Sequence, residues 1–515
     1  MTTRRKFLKS IGVIGISATV LPQVLKDTLG KMDSTITLNQ QTDYELLVPT
    51  FLGNDQRRFY GRGIPQKLKL INKFKLGCGQ TYRKGMETWC GAGWTGQPAV
   101  IKDKGKIYLI CPSYDHHLRK IEIDSFKEIW RNKFDDIQKG SPTVYVDPTA
   151  DENNRLVILQ GSRGTLHKEP LPHLRTSLRA VSFRTGKELW RIHHKKTDSY
   201  SQDNDSSPID LKNGELFNGS ENAIGYFLSS KVSDVLELDK IIQPKILAEV
   251  KLYDDADISK HKRNLVTESS PSRFGDIIYV ASGAGHVYGI NILSREIVFD
   301  YYTGSDIDGS AVISKDGKLF AAIEKEYIPG KGGVLKLDLH KMDVDSVEWY
   351  LPTGDKNFSS WKGGIIGSVA LNDEYNDGEF PYLFATNTIE GKLYIGSQDQ
   401  ITGEKVDDPL KKNKCDKPVV AVGNNIGTSI TTPIFTDGNK LVSATYDGVN
   451  LFEIHYENAK SSDKNTVQNK KGEYFKITLE KIDKFMPGVS FEATPVVWDG
   501  IVYVNCRDGY LYALG

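Results

Sequence analysis

Any chemistry in this 515-residue chain has to come from side chains gathered by register. No Gly-x-Ser-x-Gly elbow, phosphate-binding loop or dinucleotide fingerprint occurs in a fitting context. A small-polar/Pro step recurs eight times, at residues 96–100, 140–144, 206–210, 269–273, 309–313, 367–371, 431–435 and 493–497. Three residues before the Pro, or its equivalent, stand Thr95, Lys139, Asp205, Glu268, Asp308, Ile366, Ile430 and Glu492. Asp205, Glu268 and Asp308 come from consecutive copies. Three carboxylates converging on one place repel one another and require a cation, a basic side chain or a raised pKa. Basic candidates near the same level are Lys139, Arg163 and Arg507, and further acids there are Glu221 and Glu324. Two readings follow. In one, Asp205, Glu268 and Asp308 hold calcium or a polar ligand, since hard cations take carboxylate oxygens. In the other, the acids hydrogen-bond neighbouring backbones and brace the structure.

Trp94, in GAGWTGQP, and Trp361, in SSWKGG, sit just before the first and sixth copies. Gly-flanked aromatics there suit either a flat platform for a ring-shaped ligand or a packing plug. Asp198-Ser199-Tyr200-Ser201 reads as a polar rim loop in reach of such a ligand. The His116-His117 and His193-His194 pairs alternate faces on a strand, so neither chelates one metal simply. Five cysteines include no C-x-x-C pair, which argues against zinc and dithiol redox chemistry. Cys78 and Cys90 are spaced to close a short loop, and five free thiols remain the alternative.

The elements that must position these residues are short strands. The last 25 residues read FEATPVVWDGIVYVNCRDGYLYALG: three strands broken at two Asp-Gly turns. The same cassette underlies all eight copies, whose starts lie roughly 40–66 residues apart, as in four-stranded propeller blades. Fuller copies add a fourth strand carrying Trp, as in RKIEIDSFKEIWR, RAVSFRTGKELWR and VEWY. The last copy lacks one, and LKLINKFKL at residues 68–76 has the length and pattern to supply it, closing the ring without an open edge.

This arrangement resembles the quinoprotein (PQQ-like) β-propeller repeat. Ala180, Thr185, Gly186 and Trp190 match its blade end, and Thr494, Pro495, Asp508, Gly509, Tyr512 and Ala513 its blade start. The resemblance spans residues 66–515 in outline. It implies an all-β, eight-bladed propeller of four-stranded blades, closed by the N-terminal strand, with a central funnel as the binding place. Two functions follow from it. One is a non-catalytic scaffold of the bacterial envelope that binds a protein or a small polar ligand. The other is a PQQ- and calcium-dependent dehydrogenase of an alcohol or sugar, whose family also carries adjacent cysteines over the cofactor. No Cys-Cys occurs here, and the catalytic set does not map residue by residue.

Net charge is +1, with 67 basic and 66 acidic residues, which gives no support for a nucleic-acid partner. Residues 1–30 carry Thr3-Arg4-Arg5-Lys6-Phe7-Leu8-Lys9, resembling the twin-arginine export motif, and then a short apolar run from Ile11 to Leu21. Export to the periplasm follows, with membrane contact only through an uncleaved signal. Residues 31–65 read as a polar tether or strap and 66–515 as the propeller. Of three insertions, residues 231–263 suggest a short helix through Val235, Leu236, Leu238, Ile241 and Ile242. Residues 404–424 and 458–473 read as solvated loops.

Overall fold

The computed structural model describes residues 42–164 and 174–515, the side chain of Trp94 excepted. The expected export segment lies outside the described residues. Among them, no helix is long and apolar enough to cross a membrane.

Eight antiparallel sheets follow one another along the chain and form an eight-bladed propeller. Their inner strands are Ala99–Asp103, Thr143–Val146, Ile209–Asp210, Ser272–Phe274, Val312–Ile313, Ala370–Leu371, Ile434–Thr436 and Val496–Trp498. Each lies at the end of, or just past, one of the eight recurrent steps. The last blade takes its outer strand from Leu70–Lys75, which pairs antiparallel with Tyr510–Leu514. The two chain ends therefore close the ring as expected.

The recurrent step has a structural cause. At six of the eight copies the residue before the Pro position presents a hydroxyl oxygen to a backbone N–H of the preceding blade. Backbone N–H groups of Gln97, Ser207, Ser270, Ser310 and Ser368 donate to hydroxyl oxygens of Ser141, Ser270, Ser310, Ser368 and Thr432 at 2.8–2.9 Å. Thr432 N–H donates to Thr494 Oγ1 at 3.3 Å. These bonds satisfy inner-strand backbone groups that water cannot reach. At the blade ends, Trp130 Nε1 donates to Phe183 O of the next blade at 3.0 Å, and Trp349 Nε1 to Gln398 O at 2.9 Å. Gly186, at φ +70°, lies under Trp130, where a Cβ would meet the ring at 2.7 Å. Both the turn and the close approach require glycine there.

The insertions correct two sequence expectations. The apolar pattern at 235–242 is a β-hairpin, Val235–Leu238 with Ile241–Pro244, because Asp239 and Lys240 both take positive φ and form a tight reversal. The helix comes later, at Asp255–Lys260. Residues 404–424 are not a solvated loop but the far half of a long hairpin, Lys392–Asp407 with Lys414–Asn425. Residues 458–473 join the long strands Gly448–Ala459 and Tyr474–Phe485. The first of these arms folds back on the fifth blade, burying Cys415 beside Tyr301 and Tyr350.

Residues 44–63 cross the narrow end of the channel and touch every blade. Tyr44–Val48 pairs with the first inner strand, and Pro49 O accepts from Val144 N of the second blade at 2.7 Å. The Arg57 guanidinium donates to Ser207 O and Pro271 O of the third and fourth blades, at 3.2 and 2.8 Å. Gln56 O accepts from Ile313 N of the fifth, Tyr60 Oη from Leu371 N of the sixth, and Asp437 of the seventh binds Gly63 N. Gly61–Arg62 runs parallel to the eighth inner strand.

Candidate functional site

The wide end of the channel is a funnel of about 1280 Å³. Its lining comes from the segments that enter each inner strand and from the turns after the second strands. The propeller symmetry sets these at similar depth. Lys139, Arg163, Glu221, Glu268, Asp308, Glu324, Trp361, Glu492 and Arg507 all line it. Asp205 lies just behind the wall, fully buried.

Lys139 is the hub of one side. Its Nζ lies 2.5 Å from Asp205 Oδ2 and 3.6 Å from Glu221 Oε1. Burial disfavours its charge, but Asp205, Glu221 and Glu268 together hold its pKa well above the usual lysine value. Burial pushes Asp205 up to about 7 against the pull of Lys139. Glu221 is also raised by burial, and its other oxygen accepts from Ser201 Oγ at 2.6 Å. The remaining bases are engaged elsewhere. Arg163 binds Asp203 at 2.9 Å and Thr81 Oγ1 at 3.1 Å. Arg507 binds Glu492 at 2.5 Å and lies 5.0 Å from the ring centre of Tyr114.

Asp205, Glu221 and Glu268 are the funnel carboxylates whose oxygens lie within 4.8 Å of one another among the described residues. Asp308, expected beside Asp205 and Glu268, is outside that close group and faces Asp306 and Glu324 instead. Asp203 and Asp306, both lining the funnel, have no counterpart in the sequence reading. They stand two residues before Asp205 and Asp308, and a period-two scan along those segments would have found them.

Two hairpins rise at the mouth. Cys78–Tyr82 pairs with Met86–Cys90, stapled by a Cys78–Cys90 disulfide, and brings Tyr82 and Trp89 to the lining. Asp355–Phe358 pairs with Trp361–Gly363, and there Trp361 stacks on Phe358 with ring centres 6.4 Å apart. Trp361 is half-buried, with one face packed and the remainder lining the funnel. The Trp94 backbone lies in a short strand at the first blade's entry, and its side chain is outside the described residues. Tyr200 of the expected rim loop lines the funnel. The histidines do not gather. His194 is buried and neutral, its pKa lowered to about 3 by burial, and His286 lies between Asp257 and Asp300.

These residues do not fit a calcium-bound quinone. The close carboxylate group is bridged by its own lysine ammonium, which a calcium ion would have to displace. The free cysteines, Cys111, Cys415 and Cys506, are buried singly and offer no vicinal pair.

No family model and no curated protein sequence matches the chain. Among solved structures, the chain is similar to BamB from Moraxella catarrhalis. Identity is 12%, over 87% of this chain and 97% of that one, with a TM-score of 0.48. A likeness at that level carries no argument about activity or partner.

Proposed function

We propose that the chain is an exported, non-catalytic β-propeller whose funnel holds a polar ligand or a segment of an envelope protein. The observation that carries this reading is the asymmetry of the channel. One end is filled by the chain's own residues 44–63, while the other opens as a charged funnel of about 1280 Å³. The Lys139 bridge across the close carboxylates favours binding over calcium-dependent redox chemistry. The Cys78–Cys90 disulfide suits an oxidising compartment, as does the Arg4-Arg5 motif within a 1–30 signal segment. In this reading residues 31–65 lead from the signal into the ring at 66–515.

The test is protein purified from its native envelope, examined by absorption spectroscopy and by dye-linked oxidation of alcohols and sugars. The reading expects no quinone chromophore and no dye reduction, before or after addition of quinone and calcium. A bound-quinone spectrum with substrate-dependent dye reduction would replace it with the dehydrogenase.

A further inference from the structure

Charge in the funnel does not cancel locally. On the side of the second, third and eighth blades the lining acids Asp203, Glu221 and Glu492 have basic partners in Arg163, Lys139 and Arg507, and Asp136 is held by Ile137 N–H. On the wall of the fourth and fifth blades stand Glu268, Asp306, Asp308 and Glu324. None of these four has a salt bridge to a described residue. Asp306 is only 7% exposed; its Oδ2 accepts from Asn264 Nδ2, and its Oδ1 has no described donor beyond the neighbouring Glu324 carboxyl, which can share a proton with it. Glu324 is 6% exposed. Asp306 and Glu324 are buried, Glu268 and Asp308 half-buried, and the only base near the row among the described residues is Lys139 beside Glu268, so the wall carries acid in excess of base and gains when positive charge arrives.

The arrangement discriminates among cations. The close carboxylate group that could hold one small ion, Asp205, Glu221 and Glu268, is already bridged by Lys139 and shares only Glu268 with this wall. The four acids belong to two successive blade entries and one second-strand turn, and present separated acceptors. Tyr200, Tyr327 and Trp361 line the same cavity and offer aromatic faces to cations. The volume exceeds what a single small amine fills. We infer that the wall formed by Glu268, Asp306, Asp308 and Glu324 receives a basic peptide segment, with Lys or Arg side chains of a protein partner reaching its carboxylates. This inference rests on the funnel reading and specifies its ligand.

Protons are linked to that binding. Burial first, and then repulsion by neighbouring acids, raises the pKa of all four carboxylates. The charged and titratable groups facing them are Lys139 from the second blade, Asp203, Asp205, Glu221 and Tyr200 from the third, and Glu326 and Tyr327 beside Glu324. Glu326 is itself paired with Lys362 at 3.1 Å. A bound ammonium or guanidinium favours the ionised carboxylates, so binding releases protons and tightens as pH rises.

The experiment is calorimetric titration of the mature protein with tetra-lysine and tetra-arginine at low salt, in two buffers of different ionisation enthalpy. Tetra-glutamate, spermidine and calcium chloride serve as comparison probes. The expected result is peptide binding with proton release, weakened about tenfold or more by Asp308→Asn and by Glu268→Gln, and unchanged by Asp345→Asn in the exposed 3-10 turn Asp343–Ser346. If one funnel variant fails to fold, the other carries the test. Equal binding by the funnel variants, or binding of calcium or spermidine without the peptides, would overturn the inference. Binding of tetra-glutamate alone, lost in Arg163→Gln, would overturn it while keeping the funnel reading. No binding by any probe would remove both.

Discussion

Replacing Arg57 by Ala should loosen the ring from its narrow end. Arg57 is fully buried, and its guanidinium donates to Thr50 Oγ1, Phe51 O, Pro271 O and Ser207 O at 2.7–3.2 Å. Burial lowers its pKa to about 10. Relative to the usual arginine value, holding the charge there costs about 3 kcal/mol. The substitution recovers that cost but strands three backbone carbonyls, each worth about 1–3 kcal/mol when buried without a partner. It also removes one of the cations, with Lys212 and Arg273, that offset the charge of the largely buried Asp55. The net expectation is a loss of about 3 kcal/mol, at the lower end for breaking a buried charge network. In a ring this size that lowers the Tm by several degrees. Residues 44–63 should become sensitive to limited proteolysis well below the melting transition. Arg57→Lys keeps the charge but not the planar fork and should lose most of the same stability. The assay is thermal unfolding by circular dichroism with proteolysis at 25 °C. An Arg57→Ala protein that melts within a degree of the parent, with the segment still protected, would refute the reasoning.

Three further outcomes follow from the same packing. The acids of the funnel hold protons in the folded ring that the unfolded chain has released above pH 4 or so. Their contribution to stability is therefore full at low pH and falls as pH rises through the folded values, about 7 for Asp205. Asp308→Asn, which breaks no protein hydrogen bond, should raise the Tm of the ligand-free protein at pH 8 more than at pH 5; a lower Tm at both would contradict this. Lys139→Ala should destabilise by about 3–5 kcal/mol, since it leaves Asp205 and Glu221 buried without their cation, and an unchanged denaturation midpoint would count against the bridge. Of chains beginning at residues 43, 64 and 77, the first should fold as the parent, the second should melt lower, and the third should aggregate by exposing the edge of Tyr510–Leu514; equal melting of all three would refute ring closure.

Much of the fold was legible because a propeller repeats its constraints. The hydroxyl that most blades lend to their neighbour placed Ser or Thr before the Pro position, as at Ser270, Ser310 and Thr432, and so helped set the starts in register. Gly186 and Trp190 were readable for the same reason. The funnel acids followed from register once the starts were known. What stayed hidden lies off the repeat. The side of a carboxylate that finds a base depends on blade-to-blade geometry, so Lys139 against Asp205 emerged while Asp308 turned toward Asp306. Arg57 and Arg58 sit in a stretch whose polar composition reads as solvated. Their burial depends on carbonyls 150 to 255 residues away, which no local pattern reports. The arm at 392–425 misled because Lys, Asp and Asn on its exposed face mask strands that are long and only half-buried.

Binding is expected at the open, charged end of the channel. Its most direct test is a photo-crosslinking amino acid placed at Ser360, on the funnel lining, and in parallel at Lys67, exposed before the strand that begins at Leu70 on the far side of the ring. The account predicts one defined adduct in the native envelope from position 360, none from position 67, and loss of the first adduct when Asp308→Asn and Glu268→Gln are combined with it. A defined adduct from position 67 alone, or one from position 360 indifferent to the two acids, would contradict it.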